Sequence, residues 1–367
     1  MALDKNTGKI GELEEQIAKT KYNKKTSHAI GLMKAQLAKL KEKRESSIAK
    51  ASGPGDGYHV RRSGDATIIM VGFPSTGKST LLNALTDAKS EVAAYAFTTL
   101  TVIPGMLEYK HAKIQVLDVP GIVSGAASGR GRGREVLSVM RNADLCLFIL
   151  DSQHPEHYEA IKSEVYDSHV RVNQKKPDIR IKKTTKNGIR IGKTVLMTSL
   201  NDETIRAILR EFRINNADVL IRTDVTEDQF IDMVQENKKY MPAITVLNKE
   251  DLVSPDELSK LKKDLNVDIA VSGEKMTHIE ELKEMIFQRL ELIRLFLKEP
   301  GKPADMKVPL ITFRGCTVKD LCEKLHRDFV SKFKFCRVWG KSAKFPGQKL
   351  ALGHVLKDED VIELHIR

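Results

Sequence analysis

Cysteine is scarce in this 367-residue chain, and its placement excludes two common classes of small domain. The four cysteines form no CxxC pair and have no metal-like spacing with histidine, which argues against a disulfide framework and against a zinc site. We therefore expect buried free thiols in a reducing compartment. These residues are Cys146, Cys316, Cys322 and Cys336.

Long apolar runs are also missing. The longest, residues 145–150, has the length of a strand and falls far short of the ~20 residues that a membrane span needs. The first residues are polar and lack the apolar core of a signal peptide. These features predict a cytoplasmic protein that does not bind membranes.

Acidic residues are too few to balance the basic ones, and the net charge is +12. Such a balance favours nucleic acid or another acidic surface as a partner. Residues 1–50 are one basic segment, and residues 175–193 are a denser one. Three interpretations of the second segment remain open: a solvated face, a contact with RNA phosphates, or a docking site on the rest of the protein. Its basic residues are Lys175, Lys176, Arg180, Lys182, Lys183, Lys186, Arg190 and Lys193.

From residue 64 onward, apolar strands alternate with helical patterns, which predicts an α/β fold whose mostly parallel sheet has helices on both faces. Residues 169–237 interrupt this rhythm. Period-two patterns there flank Asn187-Gly188, a hairpin signal, and two helices are expected at 202–212 and 227–237. We predict an inserted α+β subdomain.

The motif GFPSTGKS at residues 72–79 follows an apolar strand and opens a helix, which is the context that a phosphate-binding P-loop requires. Glycines let main-chain N–H groups surround phosphates, and the helix N-terminus favours negative charge. Lys78 is expected to reach the β- and γ-phosphates and Ser79 to ligate Mg²⁺. The predicted phosphate-binding residues are Gly72, Pro74, Ser75, Thr76, Gly77, Lys78, Ser79 and Thr80.

Two further elements complete the expected phosphate and metal site. Asp118, in DVPG, is predicted to hold Mg²⁺, and the Gly121 amide to sense the γ-phosphate. In the Thr-rich segment between the P-loop and Asp118, Thr99 is predicted to complete the Mg²⁺ shell in the GTP state, with Thr98 as the alternative. Catalytic roles are thus assigned to Lys78, Thr99 and Gly121, and metal ligation to Ser79, Thr99 and Asp118.

The sequence NKED at residues 248–251 follows another apolar strand and predicts guanine as the base. The Asp251 carboxylate can accept hydrogen bonds from N1–H and the exocyclic amine of guanine together, a pair that adenine does not offer. Asn248 would orient the loop and the Lys249 stem would cover the base. Ser272 and Gly273, after the next strand, would bring a main-chain amide to the guanine oxygen.

Position 122 is isoleucine, whereas many GTPases carry there a glutamine that orients the attacking water. This predicts slow intrinsic hydrolysis of GTP to GDP. An arginine of the following GRGRGR segment could act as a finger in cis, although contacts to a polyanion or solvent are the alternative.

Taken together, the motifs resemble those of Obg-type GTPases and, within them, the developmentally regulated GTP-binding (DRG) proteins. The resemblance runs over nearly the whole chain. The segments that carry it are GFPSTGKS (72–79), EVAAYAFTTLT (91–101), DVPGI (118–122), GRGRGR (129–134), NNADV (215–219), VLNKED (246–251), VWG (338–340) and DEDVIEL (358–364).

The resemblance implies an N-terminal helical region, a P-loop G domain with an insertion, and a C-terminal β-grasp domain of the TGS type. It also implies association with the ribosome or its RNA and a stabilising partner protein. Related GTPases with a hydrophobic residue at position 122 use K⁺ near the P-loop. Its usual ligand is an asparagine, and this chain has Ser75 there. Another departure is Ser272-Gly273, where many relatives have Ser-Ala.

The expected segments follow from these motifs. They are a basic helical region (1–50), a linker (51–63), the GTP-binding G domain (64–168 and 238–298), the inserted subdomain (169–237), a second linker (299–307) and a TGS-like β-grasp domain (308–367). In the last domain, basic residues alternate with aromatic ones, a pattern that suits single-stranded RNA. Phe333 and Phe335 are expected in that domain's core, and the place of Trp339 is left open.

Two classes of function fit the sequence. One is a slow GTPase that acts as a conformational switch on the ribosome or its RNA. The other is an RNA-binding adaptor in which GTP is largely structural, an alternative favoured by Ile122. An ATPase of the same fold is disfavoured by Asp251. DNA is not expected as a partner, and the chain is expected to be monomeric.

Overall fold

The computed structural model describes residues 2–21, 23, 26–51, 63–86, 103–118, 139–140 and 142–366. They divide into two compact units. The first unit contains the N-terminal helices and residues 165–240, and the second contains the remaining described residues. None of the helices in the described part of the chain combines the length and apolarity that a membrane span requires.

Two long helices and the insertion build the first unit together. Its elements are α1 (Ala2–Lys19), α2 (Ser27–Ala51), β5 (Val170–Val172), β6 (Ile179–Lys183), β7 (Ile189–Lys193), α5 (Asp202–Glu211), β8 (Ala217–Ile221), α6 (Glu227–Gln235) and β9 (Lys239–Met241). Apolar side chains of α2, α5 and α6 pack on one face of the β6-β8-β7 sheet. Gly31 permits the close approach of α2, because a Cβ there would lie 2.7 Å from Cγ2 of Thr204.

The predicted hairpin at Asn187-Gly188 is wrong. Strand β8 lies between β6 and β7, antiparallel to the first and parallel to the second. Both turn residues do adopt the left-handed backbone that the Asn-Gly pair favours, with φ of 80° and 67°. The connection crosses the end of β8, where the Asn216 side chain accepts a hydrogen bond from the Gly188 N–H at 2.8 Å. A local turn signal therefore gave the correct backbone conformation but not the pairing.

The second unit is built around a six-stranded sheet. Its elements, before the C-terminal domain, are β1 (Ala66–Val71), α3 (Lys78–Leu85), β2 (Ile103–Tyr109), β3 (Ala112–Asp118), β4 (Leu145–Asp151), α4 (His157–Asp167), β10 (Ala243–Asn248), α7 (Pro255–Asp264), β11 (Ile269–Ala270) and α8 (Ile279–Arg289). The strand order is β11-β10-β4-β1-β3-β2, and only β2 runs antiparallel to its neighbour. The expected α/β fold with a mostly parallel sheet is confirmed. Strands β1 and β4 are buried along their whole length, as expected of central parallel strands.

The C-terminal domain forms a five-stranded mixed sheet in the order β13-β12-β16-β14-β15. Its elements are β12 (Leu292–Leu297), β13 (Leu310–Phe313), α9 (Val318–Leu325), α10 (Phe329–Lys332), β14 (Phe333–Trp339), β15 (Gln348–Leu350) and β16 (Asp360–Ile366). Strands β12 and β16 are parallel, and α9 packs its apolar side chains on one face of the sheet.

Three details of this domain differ from expectation. The apolar pattern of residues 279–297 predicts one continuous helix. The helix instead ends at Arg289, because Glu291 takes a left-handed φ of 52° and residues 292–297 pair as a strand. Those residues were assigned to the G domain but lie in the second sheet. Phe333 packs in the core as expected, whereas Phe335 lies on the opposite face, because a register shift separates the two residues.

Candidate functional site

The loop between β1 and α3 requires glycine at two positions, where a side chain would collide with neighbouring atoms. A Cβ at Gly72 would lie 2.5 Å from the Ile149 carbonyl oxygen, and one at Gly77 would lie 2.3 Å from Nδ2 of Asn248. Gly77 also has a left-handed φ of 83° and is the N-cap of α3. The loop therefore packs closely against Ile149 and Asn248 and leads into the N-terminus of α3, where main-chain N–H groups can bind an anion.

Lys78, the first residue of α3, is almost completely buried. Its Nζ donates hydrogen bonds to the carbonyl oxygens of Gly72 at 3.0 Å and Phe73 at 2.7 Å. Burial lowers the pKa of Lys78, and the nearby Asp118 carboxylate partly opposes this shift. The ammonium group is therefore held inside the loop by neutral carbonyl groups, and a phosphate in the loop would offer it a stronger partner.

Asp118 and Ser79 meet beside the loop. The Ser79 hydroxyl donates to Oδ2 of Asp118 at 2.8 Å, and the parallel register aligns Asp118 with Met70 near the end of β1. The other carboxylate oxygen, Oδ1, is buried and has no hydrogen-bond partner among the residues that the structure describes. A hydroxyl, a carboxylate and an unsatisfied buried oxygen fit Mg²⁺, which prefers oxygen ligands.

The described residues include no group of three or more His, Cys, Asp or Glu side chains that could hold a metal by themselves.

Asn248 connects the phosphate loop to the predicted base-binding loops. Its Nδ2 donates to the carbonyl oxygen of Thr76 at 2.9 Å, and its Oδ1 accepts from the N–H of Gly273 at 3.1 Å. Gly273 in turn lies against the main chain of α3, since a Cβ there would be 3.4 Å from the Leu81 backbone. Asn248 is buried, so this bridge is shielded from water.

Asp251 faces the same region, in the 3₁₀ turn Glu250–Leu252. A hydrogen bond from Ser272 is the largest cause that lowers the pKa of Asp251, and Lys275, whose Nζ lies 3.3 Å from Oδ2, acts in the same direction. The carboxylate is thus held in its ionised, hydrogen-bond-accepting form. That is the state which recognition of the N1–H and amine of guanine requires.

Two residues that none of the sequence motifs indicates orient Lys249. Asp151, at the end of β4, accepts a hydrogen bond from Lys249 Nζ at 2.6 Å, and the Ser152 hydroxyl donates to the Lys249 carbonyl at 2.8 Å. Lys249 has a left-handed φ of 62°, which is uncommon for a residue with a side chain. The sequence does contain one signal for Asp151, because this acidic residue directly follows the apolar run of residues 145–150.

A ring stack also supports the phosphate loop. The rings of Phe73 and His157 are stacked with centroids 4.0 Å apart, and His154 stacks on His157 at 5.4 Å. The Phe73 carbonyl accepts from both Thr76 and Lys78, so the stack fixes the residue that holds the lysine.

The structure places the other predicted site residues as follows. Pro74, Ser75, Ser79 and Thr80 are exposed on the loop and the first turn of α3, whereas Thr76 and Ser272 are buried. Thr99 and Gly121, together with Thr98, Ile122 and the arginines at 130, 132 and 134, lie outside the described residues. The described residues therefore include the phosphate loop, the Ser79–Asp118 pair and the loops predicted to bind the base.

Comparison with known proteins agrees with this site. Residues 67–183 match a family model described as a 50S ribosome-binding GTPase, residues 186–292 match the C-terminal region of that domain, and residues 293–366 match the TGS domain. Several GTP-binding proteins align with this chain over nearly its whole length. An uncharacterised GTP-binding protein of Methanocaldococcus jannaschii is 51% identical over 98% of this chain and 92% of its own.

Two relatives with descriptive names show to which family this chain belongs. Developmentally-regulated GTP-binding protein 1 of Xenopus laevis is 43% identical, and developmentally-regulated GTP-binding protein 2 of Homo sapiens is 40% identical; each match covers 97% of this chain and 98% of the relative. This chain is a member of the developmentally regulated GTP-binding protein family.

Membership gives the site its ligand. The relatives are named as GTP-binding proteins, and GTP binding is the property that this chain shares with its family. Among the residues predicted to recognise guanine, Ser272 forms a hydrogen bond with Asp251, and Asn248 accepts one from the N–H of Gly273. The C-terminal sheet is the TGS domain, which begins with β12. The predicted P-loop GTPase fold and family are confirmed.

Proposed function

We propose that this protein is a slow GTPase that hydrolyses GTP to GDP and phosphate and acts as a conformational switch on the ribosome or its RNA. The observation that carries the proposal is the bridge made by Asn248, which joins the phosphate loop at Thr76 to the base-binding loop at Gly273. One hydrogen-bonded unit would thus contact both the phosphates and the base of a guanine nucleotide.

In this proposal, Lys78 leaves the carbonyl groups of Gly72 and Phe73 and neutralises the β- and γ-phosphates. Ser79 and Asp118 would hold Mg²⁺, which would supply positive charge to offset that of the phosphates. Thr99 would complete the metal's ligands, and the Gly121 amide would contact the γ-phosphate. Both contacts exist only with GTP, so hydrolysis releases the two segments.

The proposed rate is low because Ile122 cannot orient a water molecule. A second activating group is therefore needed. K⁺ beside the phosphate loop is the proposed activator. Ser75 occupies the position of the asparagine that binds K⁺ in related GTPases, and its side-chain oxygen is the proposed ligand. An arginine among residues 130–134 is the alternative.

Ribosome or RNA binding is proposed on two grounds. The matched GTPase family model is described as ribosome-binding. In addition, the face of the β6-β8-β7 sheet opposite the helices is basic. Arg180, Lys182 and Arg190 are exposed on it around a single acid, Asp218, whose Oδ1 lies 3.4 Å from Nε of Arg190. We call this surface the basic sheet face.

A second candidate function is an RNA-binding adaptor in which GTP stabilises the fold without gating a partner. Ile122 favours it, because a site that hydrolyses slowly holds GTP for a long time. In either case we propose a cytoplasmic monomer that works with a stabilising partner protein.

Co-sedimentation with ribosomes tests the proposal, with a non-hydrolysable GTP analogue in one arm and GDP in the other. We expect tighter binding with the analogue, and we expect Ser79→Ala to remove the difference, since it loses a metal ligand. Equal binding with both nucleotides would instead support the adaptor. A separate single-turnover assay of GTP hydrolysis, with and without K⁺, tests the enzymatic part, and Lys78→Ala should abolish turnover.

A further inference from the structure

The carboxylate that is predicted to recognise guanine is covered by a lysine. Only 13% of the Asp251 side chain is exposed, and Nζ of Lys275 lies 3.3 Å from its Oδ2. The Lys275 side chain is 63% exposed, so most of it lies in solvent while its ammonium group contacts the carboxylate. This group therefore occupies part of the small opening through which a base can reach Asp251.

A tight turn of the main chain presents Lys275 to Asp251. Ser272 and Thr277 close this turn with two main-chain hydrogen bonds, at 3.3 and 3.1 Å. The Lys275 N–H donates to Oγ of Ser272 at 3.1 Å, and Met276 has a left-handed φ of 57°. Because the Ser272 hydroxyl also forms a hydrogen bond with Asp251, one side chain positions both the carboxylate and the main chain of the lysine.

Two further contacts join this turn to the segment that carries Asp251. Nδ1 of His278 lies 2.8 Å from Oε1 of Glu250, and the Glu250 N–H donates to the carbonyl oxygen of Val271 at 3.2 Å. One contact precedes Lys275 in the chain and the other follows it. The main chain on both sides therefore fixes the position of Lys275, and its exposed side chain is the part that can move away.

Guanine needs the part of Asp251 that Lys275 covers. The base offers two donors, N1–H and the exocyclic amine, and both must reach the same carboxylate. The Ser272 hydroxyl already takes one acceptor position of that carboxylate. An ammonium group that stayed at its present 3.3 Å would take another and would place a positive charge against the two N–H donors of the base. The lysine and the base therefore exclude each other.

We propose that Lys275 acts through Asp251 as an internal competitor of guanine, so that it lowers the affinity of the site for guanine nucleotides. Binding exchanges one exposed ion pair for two charge-assisted hydrogen bonds. Since the lysine side chain already lies mostly in solvent, its ammonium group moves into water at little cost. The role of Asp251 in base recognition is the premise, and neither hydrolysis nor a ribosome is required.

Lys275→Met isolates this competition, because methionine keeps much of the stem and removes the charge and the donors. Stopped-flow mixing of the full-length protein with fluorescently labelled GDP measures association and dissociation separately. The strength of exposed ion pairs predicts binding that is roughly two- to fivefold tighter in the variant. The gain should lie in the association rate, while the dissociation rate is unchanged, since the lysine has already left the carboxylate when the nucleotide is bound.

The matched control is Lys263→Met, which removes an exposed lysine from the last turn of α7. It changes the net charge by the same amount and should bind GDP as the unmodified protein does. Lys275→Arg keeps a cation and should also bind as the unmodified protein does. The advantage of Lys275→Met should shrink as salt is added, because salt screens exposed ion pairs.

Faster dissociation and weaker binding in Lys275→Met would overturn the inference, because the lysine would then hold the bound base instead of opposing it. Unchanged binding, or an equal gain in Lys263→Met, would overturn it as well.

Asp251→Asn supplies the second background for the test, since it removes the charge for which lysine and base compete. There, Lys275→Met should leave the affinity for xanthosine diphosphate unchanged, and a gain as large as that seen with GDP would show that Lys275 acts elsewhere. If Asp251→Asn keeps the preference for GDP, the premise fails and the inference falls with it. A failure confined to Lys275→Met would leave both the base-recognition role of Asp251 and the proposed GTPase standing.

Discussion

The ammonium group of Lys249 donates a hydrogen bond to the carboxylate of Asp151 at 2.6 Å. This contact joins the ends of the adjacent parallel strands β4 and β10, where Asp151 lies opposite Asn248. Asp151 is buried, so the pair is partly shielded from solvent. It keeps the Lys249 stem on the side of the loop where the base is expected.

Asp151→Ala should therefore weaken GDP binding. The variant leaves a charged side chain without its partner, and hydrogen bonds to charged groups contribute about 1.5–3 kcal/mol, so a loss of tenfold or more is expected. Isothermal titration with GDP measures it. Glu156→Ala, which removes an exposed carboxylate a few residues further on, is the control. Equal affinity in the two variants would show that Asp151 does not position Lys249.

Asp251→Asn should change which base the site prefers. An amide in place of the carboxylate can donate to the oxygen that xanthine carries where guanine has its amine. We expect GTP affinity to fall by about two orders of magnitude, as for two lost charge-assisted hydrogen bonds, and xanthosine triphosphate to bind better than GTP. Competition between the two nucleotides measures the preference, and retained selectivity for GTP would exclude Asp251 from base recognition.

Ser272→Ala should raise the pKa of Asp251, because the Ser272 hydrogen bond is the largest cause of its lowered value. A carboxyl with a depressed folded-state pKa loses its ionised form only as the pH falls through that depressed value. The acid limit of GDP binding should therefore move to higher pH in the variant, while binding at neutral pH changes little.

Affinity for GDP measured between pH 3 and 7 tests this shift. Ser259→Ala removes an exposed hydroxyl that bonds only to the Pro255 carbonyl within α7, and it is the control. An acid limit that is the same in both variants would contradict the role given to Ser272.

A buried ion pair stabilises the first unit. Arg171 donates to both carboxylate oxygens of Asp232, at 2.6 and 2.9 Å, and both side chains are less than a tenth exposed. Asp232→Ala leaves a buried arginine unpaired and should cost about 3–5 kcal/mol of stability. Asp228→Ala, on the same helix, breaks the more exposed pair with Lys34 and should cost under about 1 kcal/mol. Urea unfolding followed by circular dichroism compares them, and similar midpoints would contradict the prediction.

The basic sheet face predicts which lysines matter for RNA. The triple variant R180Q/K182Q/R190Q should weaken binding to ribosomal RNA and reduce its salt dependence. K193Q is the internal comparison, because Lys193 lies on the same sheet but pairs with Asp202. Filter binding over a series of salt concentrations measures both effects. If the salt dependence of RNA affinity is unchanged in the triple variant, the basic sheet face contacts only solvent and not RNA.

Most of the nucleotide site was predictable from sequence because each part is a short motif beside an apolar strand. The phosphate loop, Asp118 and Asn248 each come at the end of a buried strand, which the sequence shows as an apolar run. The parallel order of those strands then brings their carboxyl ends together. The role of Asp151 was not predictable from the sequence, because it depends on β4 and β10 being neighbours in the sheet. In the chain, 91 residues separate the end of β4 from the start of β10.

The errors share that cause. The hairpin failed because Asn187 and Gly188 determine a local backbone, whereas β8, more than twenty residues later, takes the place between the two strands. Strand β12 was taken for a helix because its apolar run continues the pattern of α8. Its partners, β13 and β16, come later in the chain, so the run alone could not distinguish the two structures.

The two hydrogen bonds of Asn248 have a consequence for how the nucleotide is bound. Because the same side chain contacts Thr76 and Gly273, we expect order in either loop to favour order in the other. We therefore expect guanosine and pyrophosphate, the two halves of the nucleotide, to bind cooperatively even when no covalent bond joins them.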